Sequence, residues 1–315
     1  MKAILYLHTD AVRYTGTDTG RYVNNFKGLI RDLRDIVYCD AANNRIVVSE
    51  DLFVEEICAN STIYDFIEKN LDRDETDFIY AILCNTSEQA DLSFDDLKEK
   101  MKYRPEETEC CSLVVLNEPE TEIIKNPYMT FDNYQIVYGR DSWYRLRRQI
   151  LANHPGDAKS FTDDCRKYFP NLSFSEDCEG RIQQEHLQGI PRKIVYYLSC
   201  INDCLLDFRD KHPSPDSINL LLADFAGEYG MDEAGSMQRT PGKKSSYTFD
   251  FLRFNSTLTK SVCCDPHFKI KTYDSNCGAL LRADGEKCYG RIYFNFGDDD
   301  IHPRNILIGS IGPHV

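Results

Sequence analysis

Apolar and polar residues alternate in blocks along the first 135 residues, and the blocks differ in period. AILYLH, RIVVS, DFIYAILCNT and CCSLVVLNEPE are compact apolar runs typical of buried strands. LFVEEICANSTIYDFIEKN and DLSFDDLKEKMKYRP have apolar residues three and four positions apart, which predicts helices. Ser93 or Asp91 would cap the second helix and Pro105 would end it. Strands that alternate with helices predict an α/β layer domain over residues 1–135, as a regulatory or docking domain.

The segment 136–232 has the period of helices. SWYRLRRQILANHP and SFTDDCRKYFPNLSF each predict one helix, and IPRKIVYYLSCINDCLLDFRDKH predicts the clearest one, with Pro191 in its first turn and basic residues in its last turn. After PSPD, Asp216 or Ser217 would cap SINLLLADFAGEYG, which Gly230 would end. The sequence therefore predicts a central helical region.

From residue 233 onward the period changes to two. SYTFDFLRFN, HFKIKTY, YGRIYFNFG and NILIGSIG are four strand-like runs separated by turn signals. Four strands with short connections, preceded by helices, predict a small antiparallel-sheet domain over residues 233–315. The fold class predicted for the whole chain is α+β.

Length, apolar runs and cysteines predict a soluble cytoplasmic protein with no membrane segment. None of the 315 residues belongs to an apolar run of the roughly 18–20 residues that a membrane helix needs, and MKAILYLHTD turns polar too early for a signal peptide. The thirteen cysteines are odd in number and include two adjacent pairs, which favours reduced thiols over a secreted disulfide framework.

The net charge of −14 argues against a protein whose whole surface binds nucleic acid. The charge is unevenly distributed, however. Residues 236–315 hold 11 Lys and Arg against 8 Asp and Glu, a balance of +3, which leaves 26 against 43, or −17, for residues 1–235. This asymmetry indicates that the two parts of the chain do different work.

A cationic and aromatic face is predicted for the C-terminal sheet. In HFKIK the residues of one parity are His267, Lys269 and Lys271, and in GRIYFN the matching parity gives Arg291 and Tyr293. The apolar residues of the other parity would face the core. Phosphates bind Lys and Arg, and bases stack on Tyr, so this face is typical of a surface for single-stranded RNA. An ordinary solvated sheet face has the same pattern and remains the alternative.

The loop around Lys243 and Lys244 is a second cationic feature. It lacks the glycine spacing of a phosphate-binding loop, and TGTDTGR near the N-terminus lacks the dinucleotide fingerprint. Nucleotide cofactors are therefore not predicted. We expect the two lysines to contact the RNA backbone, although a loop that is merely solvated would look the same.

Three short motifs give the C-terminal third a family resemblance. Pro266 with Lys269, then Gly290-Arg291-Ile292-Tyr293, and finally Ile311-Gly312-Pro313-His314 follow two helices in this order. This part of the chain resembles the RelE/ParE-type toxin superfamily, in which a Pro-Leu-Lys-Gly-like segment, a Tyr-Arg-Val-x-Tyr strand and a last Ile-x-His-Arg strand recur. Val315 stands where the family has its final arginine.

The resemblance implies a ribonuclease that needs no metal or other cofactor and activates the ribose 2′-hydroxyl against the neighbouring phosphate. By position, Arg291 and Lys269 would stabilise the phosphate, and His314 and His267 would be general acid and base. The expected protein is a toxin-like effector, a hydrolase acting on mRNA or ribosome-associated RNA in antiphage defence or a toxin-antitoxin pair. Its acidic N-terminal region would regulate it or dock an inhibitory or sensor protein.

Other readings of the same residues stay open. The fold could serve a non-catalytic adaptor that binds RNA or protein. A metal-dependent nuclease could use Asp298, Asp299 and Asp300, although three aspartates in a turn are more often a solvated hairpin tip. A zinc site has the right ligand types but a spacing that fits no standard zinc motif. Its ligands would come from Cys263, Cys264, His267, His302 and His314.

Overall fold

The computed structural model describes residues 1–14, 18–58, 60–86, 88–102, 109–116, 132–182, 187, 189–212, 217–232, 247–271 and 289–312. The chain divides into two compact units, Met1–Ile150 and Leu151–Val315. The three segments predicted from the sequence do not coincide with these units, because the boundary falls inside a helix of the predicted central region. Both units combine helices with strands, which agrees with the predicted α+β class.

A five-stranded sheet forms the centre of the first unit. Its order is β5-β2-β1-β6-β7, and all four neighbouring pairs are parallel. The elements of this unit are β1 Lys2–Leu7, α1 Thr9–Val12, α2 Thr19–Asp40, β2 Asn44–Ser49, β3 Glu56–Cys58, β4 Ser61–Thr62, α3 Ile63–Asn70, α4 Arg73–Tyr80, β5 Glu88–Ala90, α5 Phe94–Met101, β6 Glu109–Val114, β7 Ile136–Val137 and α6 Arg140–Asn153.

The central strand of this sheet, β1, is apolar and buried. In β1 every residue after Lys2 is buried, which is typical of a parallel strand with both faces covered. Helix α5 contributes Leu97 and Met101 to a core that also contains Ile4 and Val47. The predicted cap of α5 is confirmed, since the hydroxyl of Ser93 accepts the backbone N–H three residues later.

Two predictions in the first unit are wrong. The run DFIYAILCNT is the last part of α4 followed by a π-helical turn, Ala81–Thr86, rather than a strand. The run LFVEEICANSTIYDFIEKN is a 3₁₀ turn, Glu50–Phe53, then the hairpin β3–β4 and helix α3, rather than one helix. Short apolar runs do not distinguish a buried strand from a buried helix by period alone.

The second unit contains α7 Ala158–Tyr168, β8 Leu172–Phe174, α8 Pro191–Lys211, α9 Ile218–Glu228, β9 Thr248–Leu252, β10 Thr259–Cys263, β11 His267–Lys271, β12 Tyr289–Asn295 and β13 Ile306–Gly312. The helix predictions are confirmed here. Pro191 occupies the first turn of α8, and the side chain of Ser217 caps α9. In the part of the chain that the structure describes, no helix has the length and apolarity to cross a membrane.

The main sheet of the second unit is mixed rather than antiparallel. Its order is β11-β12-β13-β8, with antiparallel pairing among β11, β12 and β13 and parallel pairing of β8 with β13. The strands β9 and β10 form a separate antiparallel hairpin. The prediction of one antiparallel sheet from the four C-terminal runs is therefore wrong. The first run belongs to the hairpin, and β8, which has only three residues, takes its place.

The two faces of this sheet pack against different layers. On one face Phe268 stacks on Phe294 at 5.3 Å between ring centroids and lies 5.8 Å from Phe225 of α9. The hairpin covers part of the other face. A Cβ added at Gly309 of β13 would lie 2.3 Å from the ring of Phe249 in β9, so only glycine allows this close approach.

Candidate functional site

The register between β11 and β12 brings the predicted cations together. Lys269 lies directly opposite Arg291, His267 opposite Tyr293, and Lys271 opposite Tyr289. Residues directly opposite each other on antiparallel strands point to the same face. Lys269 and Arg291 are therefore neighbours on one face of the sheet, as the sequence pattern predicts.

Strand β13 continues this row across the sheet. Gly312 is the register partner of Arg291 on the side away from Lys269. Because glycine has no side chain, Arg291 has a cation as its neighbour on one side and only backbone on the other. Two positive groups thus lie side by side, both half-buried.

Arg291 keeps unused hydrogen-bonding capacity. Its Nη1 donates to the hydroxyl of Tyr293 at 3.2 Å, while its buried Nε has no hydrogen-bond partner. No carboxylate of the described ranges lies within ion-pair distance of Arg291. A buried N–H without an acceptor costs about 1–3 kcal/mol, so an anion at this position would stabilise the arrangement.

The prediction of an open face is wrong for His267 and Tyr293. Both side chains are 0% exposed, and their ring centroids lie 4.9 Å apart. The ring of Tyr247, which begins the hairpin, lies 5.5 Å from Tyr293 and closes this end of the face. Tyr293 is therefore not available for base stacking in this arrangement, and its hydroxyl instead accepts the hydrogen bond from Arg291.

Burial also argues against the predicted role of His267 as a general base. Its Nδ1 is 3.2 Å from the carbonyl oxygen of Asp265. A carbonyl only accepts, so Nδ1 carries a proton. With no exposed surface, this ring does not reach a bound substrate. Its position fits packing of the strand pair better than proton transfer.

The electrostatic effect of Arg291 extends to the hairpin. Burial raises the pKa of Tyr247 and the neighbouring Tyr293 raises it further, while the positive guanidinium of Arg291 acts in the opposite direction. A cation favours the ionised form of a nearby phenol. The field of Arg291 therefore reaches the first residue before β9.

Lys271 lies at the edge of the sheet, where other residues hold the strand in place. Its backbone N–H donates to Asp232 Oδ2 at 3.0 Å, and Lys193 Nζ donates to Asp232 at 2.8 Å and to the backbone oxygen of Lys271 at 3.1 Å. Asp232 and Lys193 thus occupy part of the edge of β11. Lys271 is half-buried, two residues along from the Lys269 and Arg291 pair.

Three of the predicted site residues lie outside the described residues. These are His314, which follows Gly312 by two positions, and Lys243 and Lys244 of the loop before β9. Their predicted roles stay predictions.

The acidic turn after β12 is held by one lysine. Lys260 Nζ lies 2.7 Å from Asp298 Oδ2 and 2.8 Å from Asp300 Oδ2. Within the described ranges, no group of three His, Cys, Asp or Glu side chains is arranged to hold a metal ion. Burial raises the pKa of the Cys264 thiol, which disfavours the thiolate that zinc requires.

The first unit has a topological feature that the sequence pattern does not predict. The strand order reverses direction between β1 and β6, and open parallel sheets bind ligands at the carboxyl ends of strands beside such a reversal. The polar residues His8, Thr9 and Asp10 follow β1 directly. Such a polar triplet after a buried strand is the sequence signal for a ligand site at this edge of the sheet. His8 Nε2 donates to the carbonyl of Leu92, and its Nδ1 accepts from the backbone of Asp10. Both ring nitrogens of His8 therefore have hydrogen-bond partners within the chain.

Comparison with known proteins returned no match. No family model, no curated protein and no solved structure matches the chain.

Proposed function

We propose that the main sheet of the second unit binds the phosphate backbone of RNA at Lys269 and Arg291, and that the protein is a toxin-like endoribonuclease. The observation that carries the proposal is the direct pairing of these two cations across β11 and β12. Two positive side chains on one face, one of them with an unsatisfied buried N–H, suit the two anionic oxygens of a phosphodiester.

The proposed reaction needs no metal ion. The ribose 2′-oxygen forms a bond to phosphorus, the bond from phosphorus to the 5′-oxygen breaks, and a 2′,3′-cyclic phosphate and a 5′-hydroxyl result. Arg291 and Lys269 stabilise the extra negative charge of the pentacoordinate phosphate. His314 gives a proton to the leaving oxygen, and the 2′-hydroxyl proton passes to water. His267 is not assigned the base because it is buried.

The order of elements supports a RelE-like architecture for this sheet. Helices α8 and α9, and then the hairpin β9–β10, precede three consecutive strands, β11 to β13, which pair antiparallel. Pro266, Lys269 and Arg291 fall on these strands or directly before them, in the order that the resemblance implies. We also propose that the protein acts in antiphage defence or in a toxin-antitoxin pair. It would act in the cytoplasm and in some cases on the ribosome.

Regulation by the acidic part of the chain completes the proposal. Residues 1–235 carry 26 Lys and Arg against 43 Asp and Glu, a balance of −17, while residues 236–315 carry +3. Carboxylates compete with phosphate for the same cations, so the acidic part would weaken RNA binding. Binding or release of an inhibitory or sensor protein would then relieve this competition. Lower salt should strengthen this competition.

The test compares RNA binding and cleavage by the full chain and single variants. Arg291→Ala and Lys269→Ala should each weaken binding of a single-stranded RNA about tenfold to a hundredfold, because each removes a charge-assisted hydrogen bond. Arg253→Ala removes an exposed cation of the same unit and should change little. In the double variant, which carries both substitutions, the slope of log K against log[salt] should become shallower by about 1.4.

Cleavage needs its own readout. RNA incubated with the full chain, with and without translating ribosomes and EDTA, should yield 2′,3′-cyclic phosphate ends in the presence of EDTA, and a 2′-deoxy nucleotide at the cleaved position should prevent the cut. His314→Ala should abolish cleavage and keep binding. A variant carrying both Arg291→Ala and His314→Ala that cuts as well as the parent would contradict the proposal, and loss of cleavage in EDTA would favour a metal-dependent nuclease.

A non-catalytic adaptor is the second candidate function. The burial of His267 and Tyr293 favours it, because it removes one predicted catalytic and one predicted stacking side chain from the surface. The cation pair remains and would bind RNA or an acidic protein segment. RNA binding that depends on Arg291, without any change in the RNA termini, would indicate this adaptor.

A further inference from the structure

An acidic surface in the first unit lies outside the proposed RNA site. Residues 50–80 contain ten Asp and Glu against two Lys and Arg, a balance of −8. They form the 3₁₀ turn Glu50–Phe53, the hairpin β3–β4 and helices α3 and α4. The acidic residues are Glu50, Asp51, Glu55, Glu56, Asp65, Glu68, Asp72, Asp74, Glu75 and Asp77.

Three aromatic rings form a row on this surface, which we name the aromatic ladder: Phe53, Tyr64 and Tyr80. Both neighbouring pairs have ring centroids 5.8 Å apart, with tilts of 31° and 35°. Tyr64, in the middle, is 37% exposed, and Val54 beside Phe53 is 75% exposed. The rings come from three different elements, so the fold brings them together.

The surroundings of the ladder are negative. Burial raises the pKa of Tyr80, and the nearby Glu68 carboxylate, Tyr64 and the Cys84 thiol add to the shift. Burial and then Cys84 likewise raise the pKa of Tyr64. Glu68 and Cys84 thus both lie close enough to act on the ring hydroxyls, and both are exposed. An anion beside a phenol disfavours a second negative charge.

Some carboxylates of this segment have cations within the chain and others do not. Glu75 lies 3.0 Å from Lys27 Nζ, and Glu55 forms an ion pair with Arg13. Asp51, Glu56 and Glu68 are exposed and have no cationic partner in the described part of the chain. Glu68, which acts on Tyr80, therefore places an unpaired negative charge beside the ladder in the described part of the chain.

We propose that the aromatic ladder and its carboxylates dock an arginine-rich segment of a partner protein. A guanidinium is attracted to the face of an aromatic ring and forms two parallel hydrogen bonds with a carboxylate, so a surface with both groups favours Arg. Arg stacks on rings better than Lys because its guanidinium is planar and weakly hydrated. Nucleic acid is disfavoured because its phosphates would meet the same carboxylates. This inference does not depend on the proposed ribonuclease activity.

The test measures binding of a fluorescent peptide of alternating Arg and Gly to the full chain by anisotropy. Tyr64→Leu keeps apolar bulk but removes the ring, and we expect affinity to fall about 3- to 30-fold. Tyr64→Phe keeps the ring and should bind like the parent. Tyr38→Leu is the matched control, because Tyr38 is 77% exposed on α2 and lies outside the ladder; its affinity should be unchanged.

Charge is tested separately from the ring. Glu68→Gln should weaken the arginine peptide, whereas Glu228→Gln, the same change at an exposed position of the second unit, should not. Replacing Arg by Lys in the peptide should weaken binding, and replacing it by Glu should abolish it. Circular dichroism spectra that match the parent show that each variant is folded. Equal affinity of Tyr64→Leu and the parent, or equal binding of an uncharged apolar peptide, would overturn the proposal.

Discussion

Two arginines, the buried Arg147 of the first unit and the half-buried Arg291 of the second, have very different surroundings. Arg147 in α6 of the first unit donates to the carbonyls of Met1 and Asn43, both at 3.2 Å, and lies 3.7 Å from the carboxylate of Asp40. Arg291 in the second unit donates to one phenol and has Lys269 as its neighbour. Asp40 neutralises the first arginine, whereas no carboxylate of the described residues pairs with the second; the buried Nε of each lacks a hydrogen-bond partner.

The comparison indicates where to look for binding in this chain. Arg145, Arg147 and Arg148 are a local run of cations in the sequence, yet Arg147 and Arg148 are buried in packing contacts. Lys269 and Arg291 are fewer and farther apart in the sequence, but the sheet register adds their charges. The burial of a cation and the charges around it therefore have to be known before a run of cations is interpreted as a binding surface.

The strongest test of the comparison removes the counter-charge from the first arginine. Asp40→Ala leaves the Arg147 guanidinium buried without its carboxylate, and the free energy of unfolding of the first unit should fall by about 3–5 kcal/mol. The side chains of Asp40 and Arg147 are 4% and 2% exposed. The protein has one tryptophan, Trp143, which is buried in the first unit, so its fluorescence during urea unfolding reports on this unit.

Asp35→Ala is the control for Asp40→Ala. Asp35 lies 3.6 Å from Arg34 in an exposed ion pair of the same helix, and its loss should cost less than about 1 kcal/mol. If the two variants unfold at the same urea concentration, the buried pair in the first unit is not the source of stability that we describe.

A second test concerns the cover over the cationic face. Gly309→Ala places a methyl group 2.3 Å from a ring carbon of Phe249 and 2.9 Å from Cys264 Cβ, so the hairpin must move. We expect the second unit to lose about 1–3 kcal/mol of stability. Hydrogen exchange measured by mass spectrometry should show faster exchange of the backbone amides in β9 and β10.

The matched control is Gly227→Ala in α9, where an added Cβ meets nothing within 4 Å. Alanine favours the helix, so this variant should be more stable by about 0.4–1 kcal/mol. Unchanged exchange in the hairpin of Gly309→Ala would contradict the close packing of β9 on β13.

The smallest effect concerns an exposed ion pair of the second unit. Hydrogen bonding and attraction by Lys260 lower the pKa of Asp300 from its ordinary value of 3.8. A carboxyl group with a lowered pKa in the folded state stabilises the fold above its ordinary pKa, and this contribution is lost as the pH falls through the lowered value. Lys260→Met should therefore raise the pKa of Asp300 toward 3.8, measured by carboxyl NMR titration. An unchanged titration curve would show that the lysine does not hold this turn.

The sequence correctly predicted the elements that depend on interactions between residues close together in the chain. Pro191 at the start of α8, the Ser217 cap of α9 and the alternation of Phe268 and Ile270 with polar residues all hold in the structure. Each depends on residues within a few positions of each other: backbone angles, a capping side chain, or the two-residue period of a strand. The neighbouring positions of Lys269 and Arg291 also depended only on strand parity and pairing.

The features that were missed depend on distant residues. Strand β8 has three residues, too few for a period, and pairs with β13 far along the chain. The hairpin buries Tyr293, because Tyr247 and Phe249 pack in one core with it, whereas the sequence pattern places both in another strand of the same sheet. Parity assigns a residue to a face, but it does not say which layer covers that face.

The position of β13 between β12 and β8 affects how the protein folds while it is synthesised. The Ser175 hydroxyl, just after β8, donates to the carbonyl of Gly309, 134 positions later. At the usual translation rates, roughly 7–27 s separate the synthesis of these two residues. During that time β8 has no partner strand, whereas the strands of the first unit are complete by Val137. Lys269 and Arg291 can therefore become neighbours only after the acidic residues 1–235 have been made.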